Sequence, residues 1–132
     1  MATEALEPVD AEEALSSDLS IEACPVCPPP VPETLGDRLP WALVERDGGV
    51  RENPWVDSHN VTVSVWAGTW AEAMREADRL AGAIARLPAT GGTSVQWRRA
   101  DVTGLPSAAP DALHPDIPRV QLTATVYCRT TL

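Results

Sequence analysis

Between Asn60 and Leu87 the sequence changes period once, and that change limits the folds open to the chain. In NVTVSVWAG, residues 60–68, apolar side chains alternate: Val61, Val63 and Val65 point one way, Thr62, Ser64 and Trp66 the other. This is the pattern of a half-buried strand. From Thr69 the spacing becomes three and four, with Trp70, Met74, Ala77, Leu80, Ile84 and Leu87 on one helical face and Glu72, Arg75, Glu76, Arg79 and Arg86 elsewhere. Thr69-Trp70-Ala71-Glu72 fits a capping box, in which the threonine oxygen meets the Glu72 amide and the Glu72 carboxylate reaches back to the Thr69 amide. Pro88 is expected to stop the helix. A one-faced strand leading into a one-striped helix requires a sheet to extend and a face on which to pack.

The flanking segments supply that sheet. At the C-terminus, RVQLTATVYCRT places Val120, Leu122, Ala124, Val126 and Cys128 on one face and Gln121, Thr123, Thr125 and Tyr127 on the other. Its simplest partner is the preceding strand, expected over residues 93–103. Between them, residues 104–118 read as a long proline-rich loop ordered by its contacts. Upstream, LPWALVERDGG predicts a strand from Trp41 to Arg46, closed by a turn at Asp47-Gly48-Gly49, with residues 50–58 as loop or weak edge segment. Residues 8–19 predict a short helix with Pro8 in its first turn and Val9, Leu15 and Leu19 as its apolar stripe. Pro25 to Pro32 should lie extended, as polyproline II or an edge strand. The expected fold is α+β: a single, mainly antiparallel sheet with one long helix and a short N-terminal helix packed on it.

The net charge of −9 is placed unevenly. Residues 1–37 hold nine acids and no arginine, whereas residues 38–132 hold ten acids and ten arginines. The chain therefore divides into an acidic N-terminal arm, residues 1–37, with the short helix and a proline-rich strap, and a near-neutral body, residues 38–132. An acidic arm argues against sequence-independent DNA binding, which needs a basic surface to displace counterions. The start has neither a basic region nor an apolar core of a signal peptide, and no window approaches a membrane span, so a soluble, cytoplasmic chain is expected.

The motifs that could carry chemistry are few. Cys24 and Cys27, in CPVCPPPVP, have the spacing of half a zinc site that Cys128 and either His59 or His114 would have to complete, yet the second matching knuckle is missing. A redox dithiol would need a helix N-terminus, which the following prolines cannot sustain. The plainer reading makes Cys24 and Cys27 small apolar residues of an extended strap and Cys128 a core residue. His59 and His114 are isolated, no serine sits in a nucleophile elbow, and there is no glycine-rich phosphate loop. No catalytic, cofactor or metal residue is assigned, and an enzyme is not expected. Glu72, Glu76 and Asp78 read as a solvated helix face, with pairs such as Glu72 with Arg75 and Glu76 with Arg79. Trp97-Arg98-Arg99 could stack and bind phosphates, but nothing else builds a basic groove. The alternative places Trp97 and Arg99 on one sheet face and Arg98 on the other, the arginines pairing acids of this chain or a neighbour. With one tyrosine and no phenylalanine, five tryptophans carry nearly all the aromatic area. Trp66, on the polar face of its strand, and Trp55, in a loop, are candidates for burial against another subunit.

The succession of segments resembles the tail terminator, or tail completion, proteins of long-tailed phages that infect actinobacteria. The resemblance spans about residues 8–130 and rests on Leu39-Pro40-Trp41 opening the first strand, Val65-Trp66 ending a strand before an alanine-rich helix, and Pro118-Arg119 opening the last strand. A composition in which every basic residue is arginine fits a GC-rich host. CPVCPPPVP departs from the plainer strand expected there. The resemblance implies a small structural virion protein that forms a hexameric ring on the tail tube, stops polymerisation of the tube protein and meets a head-completion or stopper neck protein. Genomic DNA would pass through the lumen without sequence-specific binding, no membrane would be involved, and assembly would occur in the host cytoplasm. Candidate subunit-interface residues are Trp55, Trp66, Arg98, Arg99, Leu105, Leu113 and His114. Two other readings remain open: another neck protein, and a small zinc or thiol protein built on Cys24, Cys27 and Cys128.

Overall fold

The structure, a computed structural model, describes residues 7–20, 24–90 and 95–130. The expected turn at Gly91-Gly92 and strand start at Thr93-Ser94 lie outside the described residues, as does the start of the acidic arm. The described residues form α1 (Ala11–Leu19), β1 (Val26–Cys27), β2 (Trp41–Asn53), β3 (Val56–Trp66), α2 (Trp70–Thr90), β4 (Trp97–Ala108) and β5 (Arg119–Arg129). The five strands make one mixed sheet in the order β1-β2-β3-β5-β4. β1 lies parallel to β2 and every other pairing is antiparallel. This is the α+β architecture that the alternating and helical periods imply.

The centre of the sheet is the β3–β5 pair, in register without interruption from Val56 opposite Arg129 to Trp66 opposite Arg119. Because side chains alternate along a strand, this register puts Val61, Val63 and Val65 on the same face as Val120, Leu122, Ala124, Val126 and Cys128. All are buried, and they pack with Ala73, Ala77, Leu80, Ile84 and Leu87 of α2. Leu15 and Leu19 of α1, with Cys24 and Val26, join the same cluster. Asp10 caps α1, its Oδ1 accepting from the Glu13 amide at 3.1 Å. Thr69 caps α2 in the same way, its hydroxyl oxygen accepting from the Glu72 amide at 3.1 Å.

Several boundaries differ from the sequence expectation for identifiable reasons. Helix α2 runs past Pro88 to Thr90. A proline in the last turn removes one bond near the end of the ladder, and the Thr90 hydroxyl donates to the Arg86 carbonyl at 3.1 Å there. Trp70 is 45 % exposed, so the buried stripe of α2 starts at Ala73. Glu76, expected on the solvated face, is buried; it keeps the expected pairing with Arg79, at 3.5 Å.

The largest correction concerns Asp47-Gly48-Gly49. The chain does not turn there, and residues 50–58 are not a loop: β2 continues to Asn53 and pairs with β3 throughout. The glycines serve a bulge and a close approach. The register shifts between Arg46 and Gly48, and Gly48 has φ +139°, a conformation that side chains disfavour. Gly49 faces His59 so closely that a β-carbon would overlap the Ser58 carbonyl. The reversal occurs at Asn53-Pro54-Trp55-Val56, where Asn53 Oδ1 accepts from the amides of Trp55 at 2.9 Å and Val56 at 3.0 Å. Similarly, residues 104–108, expected as loop, extend β4.

Gly49→Ala is expected to destabilise the fold by more than about 2 kcal/mol, since backbone must move to admit the methyl group. Gly82→Ala, at a helical site open on all sides, should instead stabilise by roughly 0.5–1 kcal/mol. Urea unfolding midpoints of the two variants measure the contrast.

Candidate functional site

The residues expected at a subunit surface separate into two groups. Trp55 is 53 % exposed at the tip of the β2–β3 hairpin, and Val50, further back on β2 opposite Ser58, is 60 % exposed. Leu105 of β4 is 78 % exposed and Leu113, in the 109–118 loop, 86 %. Arg98 and Arg99 are exposed on β4. Trp66, by contrast, is only 2 % exposed and belongs to this subunit's interior.

Trp66 is buried because the outer face of the sheet is covered at one end. Trp66, Trp41, Leu43 and Leu35 form a second apolar cluster, with Val31, Leu39 and Ile117 packed around it. The rings of Trp41 and Trp66 lie 5.8 Å apart at 46°. The proline-rich segment supplies part of the cover and the 109–118 loop the rest.

Asp111 ties that loop to the sheet. Its carboxylate accepts from Trp66 Nε1 at 3.1 Å and from the Leu113 amide at 3.0 Å, and lies 2.8 Å from His114 Nδ1. Arg119 stands 4.0 Å away, its guanidinium 5.9 Å from the Trp66 ring centre, while its Nε donates to the Ala109 carbonyl at 2.6 Å. His114 is thus an anchor of the loop, and Leu113 is the side chain the loop displays. Burial pushes the Asp111 carboxyl up, but the hydrogen bonds from His114, Leu113 and Trp66 and the charge of Arg119 outweigh it and hold the group below its ordinary value.

On β4 a bulge at Arg98 reverses the expected sharing of faces. Trp97 opposes Cys128 and Arg99 opposes Tyr127, so Trp97 faces the core and Arg99 the other side. Trp97 is buried and its Nε1 donates to Asp18 of α1 at 2.7 Å. Arg99 pairs with Asp101 at 2.9 Å and lies 5.3 Å from the Tyr127 ring centre. One of the two arginines is therefore matched by an acid of this chain, as the plainer reading of this motif expects.

The cysteines are all free thiols. Burial, then the nearby charge of Glu76, pushes the Cys24 thiol up to about 12. Burial and Asp57 push Cys128 up to about 11. A ligand or nucleophile needs the thiolate, which both sites disfavour. Cys24 packs in the core and Val26-Cys27 forms the short edge strand β1, as expected for a strap. Among the described residues no group of three or more His, Cys, Asp or Glu side chains is placed to hold a metal ion. Neither histidine contacts a serine or cysteine side chain by a hydrogen bond among the described residues.

A polar pocket missed by the sequence reading lies at the hairpin end of the sheet, on the face that carries the helices. Asp57 and His59 have the same parity on β3 as Val61, so they continue the buried face, yet they are polar. Arg51, on β2, grips Asp57 with two bonds, Nε to Oδ1 at 2.7 Å and Nη2 to Oδ2 at 3.1 Å. His59 is 2 % exposed, and among the described residues its buried Nε2 has no hydrogen-bond partner. Burial, helped by the charge of Arg46 and opposed by Asp57, lowers its pKa. A cavity of about 440 Å³ opens here, bordered by Arg46, Gly48, Gly49, Asp57 and His59. The parity of Asp57 and His59 was the available signal, since a polar residue on a core face is more informative than an exposed apolar one.

No protein-family model matches the chain, and no curated protein matches it. Among the described residues, no helix is long and apolar enough to cross a membrane.

Asp111→Ala should destabilise the protein by about 2–3 kcal/mol, because Trp66 Nε1 loses its partner in a buried site. The folded-state pKa of Asp111 lies below the unfolded one, so its contribution is complete above about pH 4 and is lost as pH falls through the folded-state value. Unfolding midpoints in urea from pH 5 to pH 2 should fall less steeply for the variant than for the parent. His59 behaves oppositely in origin: its folded pKa is depressed, so the unfolded chain binds more protons as pH falls below about 6.5, and stability falls until the folded-state pKa is passed. His59→Gln should flatten the stability profile between pH 7 and pH 5.

Proposed function

We propose that the chain is a structural subunit that assembles into a ring, of the phage tail-terminator kind. The observation that carries this reading is the placement of its exposed large apolar side chains at opposite ends of one rigid sheet. Val50 and Trp55 sit at the hairpin end, while Leu113, Trp70 and, toward that side, Leu105 sit at the other. The β3–β5 ladder between them spans roughly 33 Å at the usual rise per residue. A single exposed leucine is ordinary. Two separate apolar patches suit a heterologous contact, in which one end of a subunit meets the other end of the next, and such contacts make a ring when the rotation between neighbours closes.

The succession of segments that resembles tail terminators adds a context to this geometry through Leu39-Pro40-Trp41, Val65-Trp66 and Pro118-Arg119. In that role the ring caps the tail tube, ends its polymerisation and offers its other surface to a neck protein. The acids of the N-terminal arm would line or border the channel, where negative charge keeps DNA from adhering. Trp66 takes no part in the contact, being part of the subunit's second apolar cluster.

Light scattering over a wide concentration range tests the assembly. The expected result is a species near six times 14.1 kDa that grows with concentration, and that Trp55→Ser or Leu113→Ser shifts toward the monomer by at least about tenfold in concentration. Electron microscopy with growing tail tubes tests the cap: the protein should sit at one tube end and stop elongation. A monomer at every concentration that also leaves tube length unchanged would overturn the proposal.

A further inference from the structure

The second apolar cluster has two covers, and they are fastened differently. Because β1 runs parallel to β2, the chain must travel back along the sheet before β2 can begin. Residues 28–40 make that return and carry Val31, Leu35 and Leu39 onto Trp41, Leu43 and Trp66. Leu35 is the single buried residue of this strap. Pro28, Pro29, Pro30, Pro32 and Pro40 have no amide hydrogen to donate. Among the described residues, the hydrogen bonds of the strap stay within it. The Asp37 amide donates to the Thr34 carbonyl at 3.0 Å, the Arg38 amide to the Leu35 carbonyl at 2.9 Å, and Arg38 Nε to the Thr34 hydroxyl at 3.0 Å.

The 109–118 loop, by contrast, is bonded to the sheet itself, through Asp111 accepting from Trp66 Nε1 and through Arg119 Nε donating to the Ala109 carbonyl. A segment opens locally when it buries little apolar surface and has few hydrogen bonds to the rest of the molecule, and the strap meets both conditions. The main core shares no residue with the cluster beneath the strap. Lifting the strap therefore leaves the face on which α2 packs intact.

We infer that residues 28–40 open as a unit while the main core stays folded, uncovering Trp41 and Leu43 on the outer face of the sheet. Leu35 is the latch, since its side chain is the one the strap buries completely. The loop remains on Trp66 through Asp111. Opening gives the subunit an apolar surface that the closed form withholds. The motion belongs to a single subunit and is independent of ring formation.

The test is labelling of thiols in the full chain with iodoacetamide, at concentrations where the rate is proportional to the reagent, with each cysteine resolved by peptide mass. The reporter is Leu43→Cys, at a position 4 % exposed beneath the strap. It is combined with Cys27→Ser, which removes the thiol opposite position 43 on β1. Cys24 and Cys128, both 0 % exposed in the main core, report unfolding of that core. Position 43 should react at least about a hundredfold faster than Cys24 and Cys128, at a rate that urea well below the unfolding midpoint leaves unchanged. Leu35→Ala should speed position 43 by about tenfold or more. Ile84→Val, in the main core, should speed Cys24 and Cys128 by roughly two- to tenfold and leave position 43 unchanged. In the parent chain, native Cys27, partly covered by the same cluster, should respond to Leu35→Ala and Ile84→Val as position 43 does. The proposal is overturned if position 43 follows Cys24 and Cys128 in rate and urea dependence, if Ile84→Val speeds it, if Leu35→Ala leaves it unchanged, or if it reacts as fast as in the urea-denatured chain.

Discussion

Everything else in the molecule is arranged around the uninterrupted pairing of β3 with β5. Both are central strands, and their valines, leucine and alanine form one continuous apolar face. A slip of one residue would turn that entire set to the opposite side, so the register is held by the burial itself. Irregularity is confined to the outer pairings. β2 and β4 carry the bulges, and both lie toward the sheet edges. Helix α2 packs its stripe of small and branched residues on the resulting face, and the capping threonine at its start ties it closely to the end of β3.

The sheet has a second, smaller interior on its other side, and this decides what the surface can offer. Trp41, Leu43 and Trp66 would be exposed if the sheet were a simple two-layer sandwich. The strap with Leu35 and the loop with Ile117 cover them. The loop is held by a polar node in which Asp111 accepts from Trp66 and Leu113, meets His114 Nδ1 and faces the Arg119 guanidinium. A loop anchored in this way displays Leu113 at low entropic cost, because the ordering has already occurred on folding.

Much of the candidate surface was legible in the sequence and part of it was not, for physical reasons. Trp55, Leu105 and Leu113 were placed in connecting segments, and they are exposed. Trp66 was placed on a polar face by its alternation with Val65, and the alternation is real. Alternation reports only that two faces differ; it cannot report that a distant segment covers the second one. Trp97 and Arg99 were assigned to one face by counting in twos, and the extra residue of a β-bulge breaks that count. The same counting, carried back from Val61, would have placed His59 and Asp57 on the buried face, where their polarity marks a site.

The sequence by itself determined the elements whose information is local: the capped, striped helix after Thr69, the alternating strands at residues 60–66 and 119–129, the short helix before Leu19, and the extended strap. Their signals are periods and caps, which neighbouring residues along the chain enforce. Tertiary structure alone decided where β2 turns, what covers Trp66 and which arginine pairs with Asp57. Gly48-Gly49 reads as a turn locally, but in the sheet the scarce commodity at Gly49 is space beside the Ser58 carbonyl, so the strand continues to Asn53. Arg51 rather than Arg46 pairs with Asp57 because Arg51 stands directly opposite it across the hairpin. Such outcomes depend on residues brought together by the register, and no window of the sequence contains them.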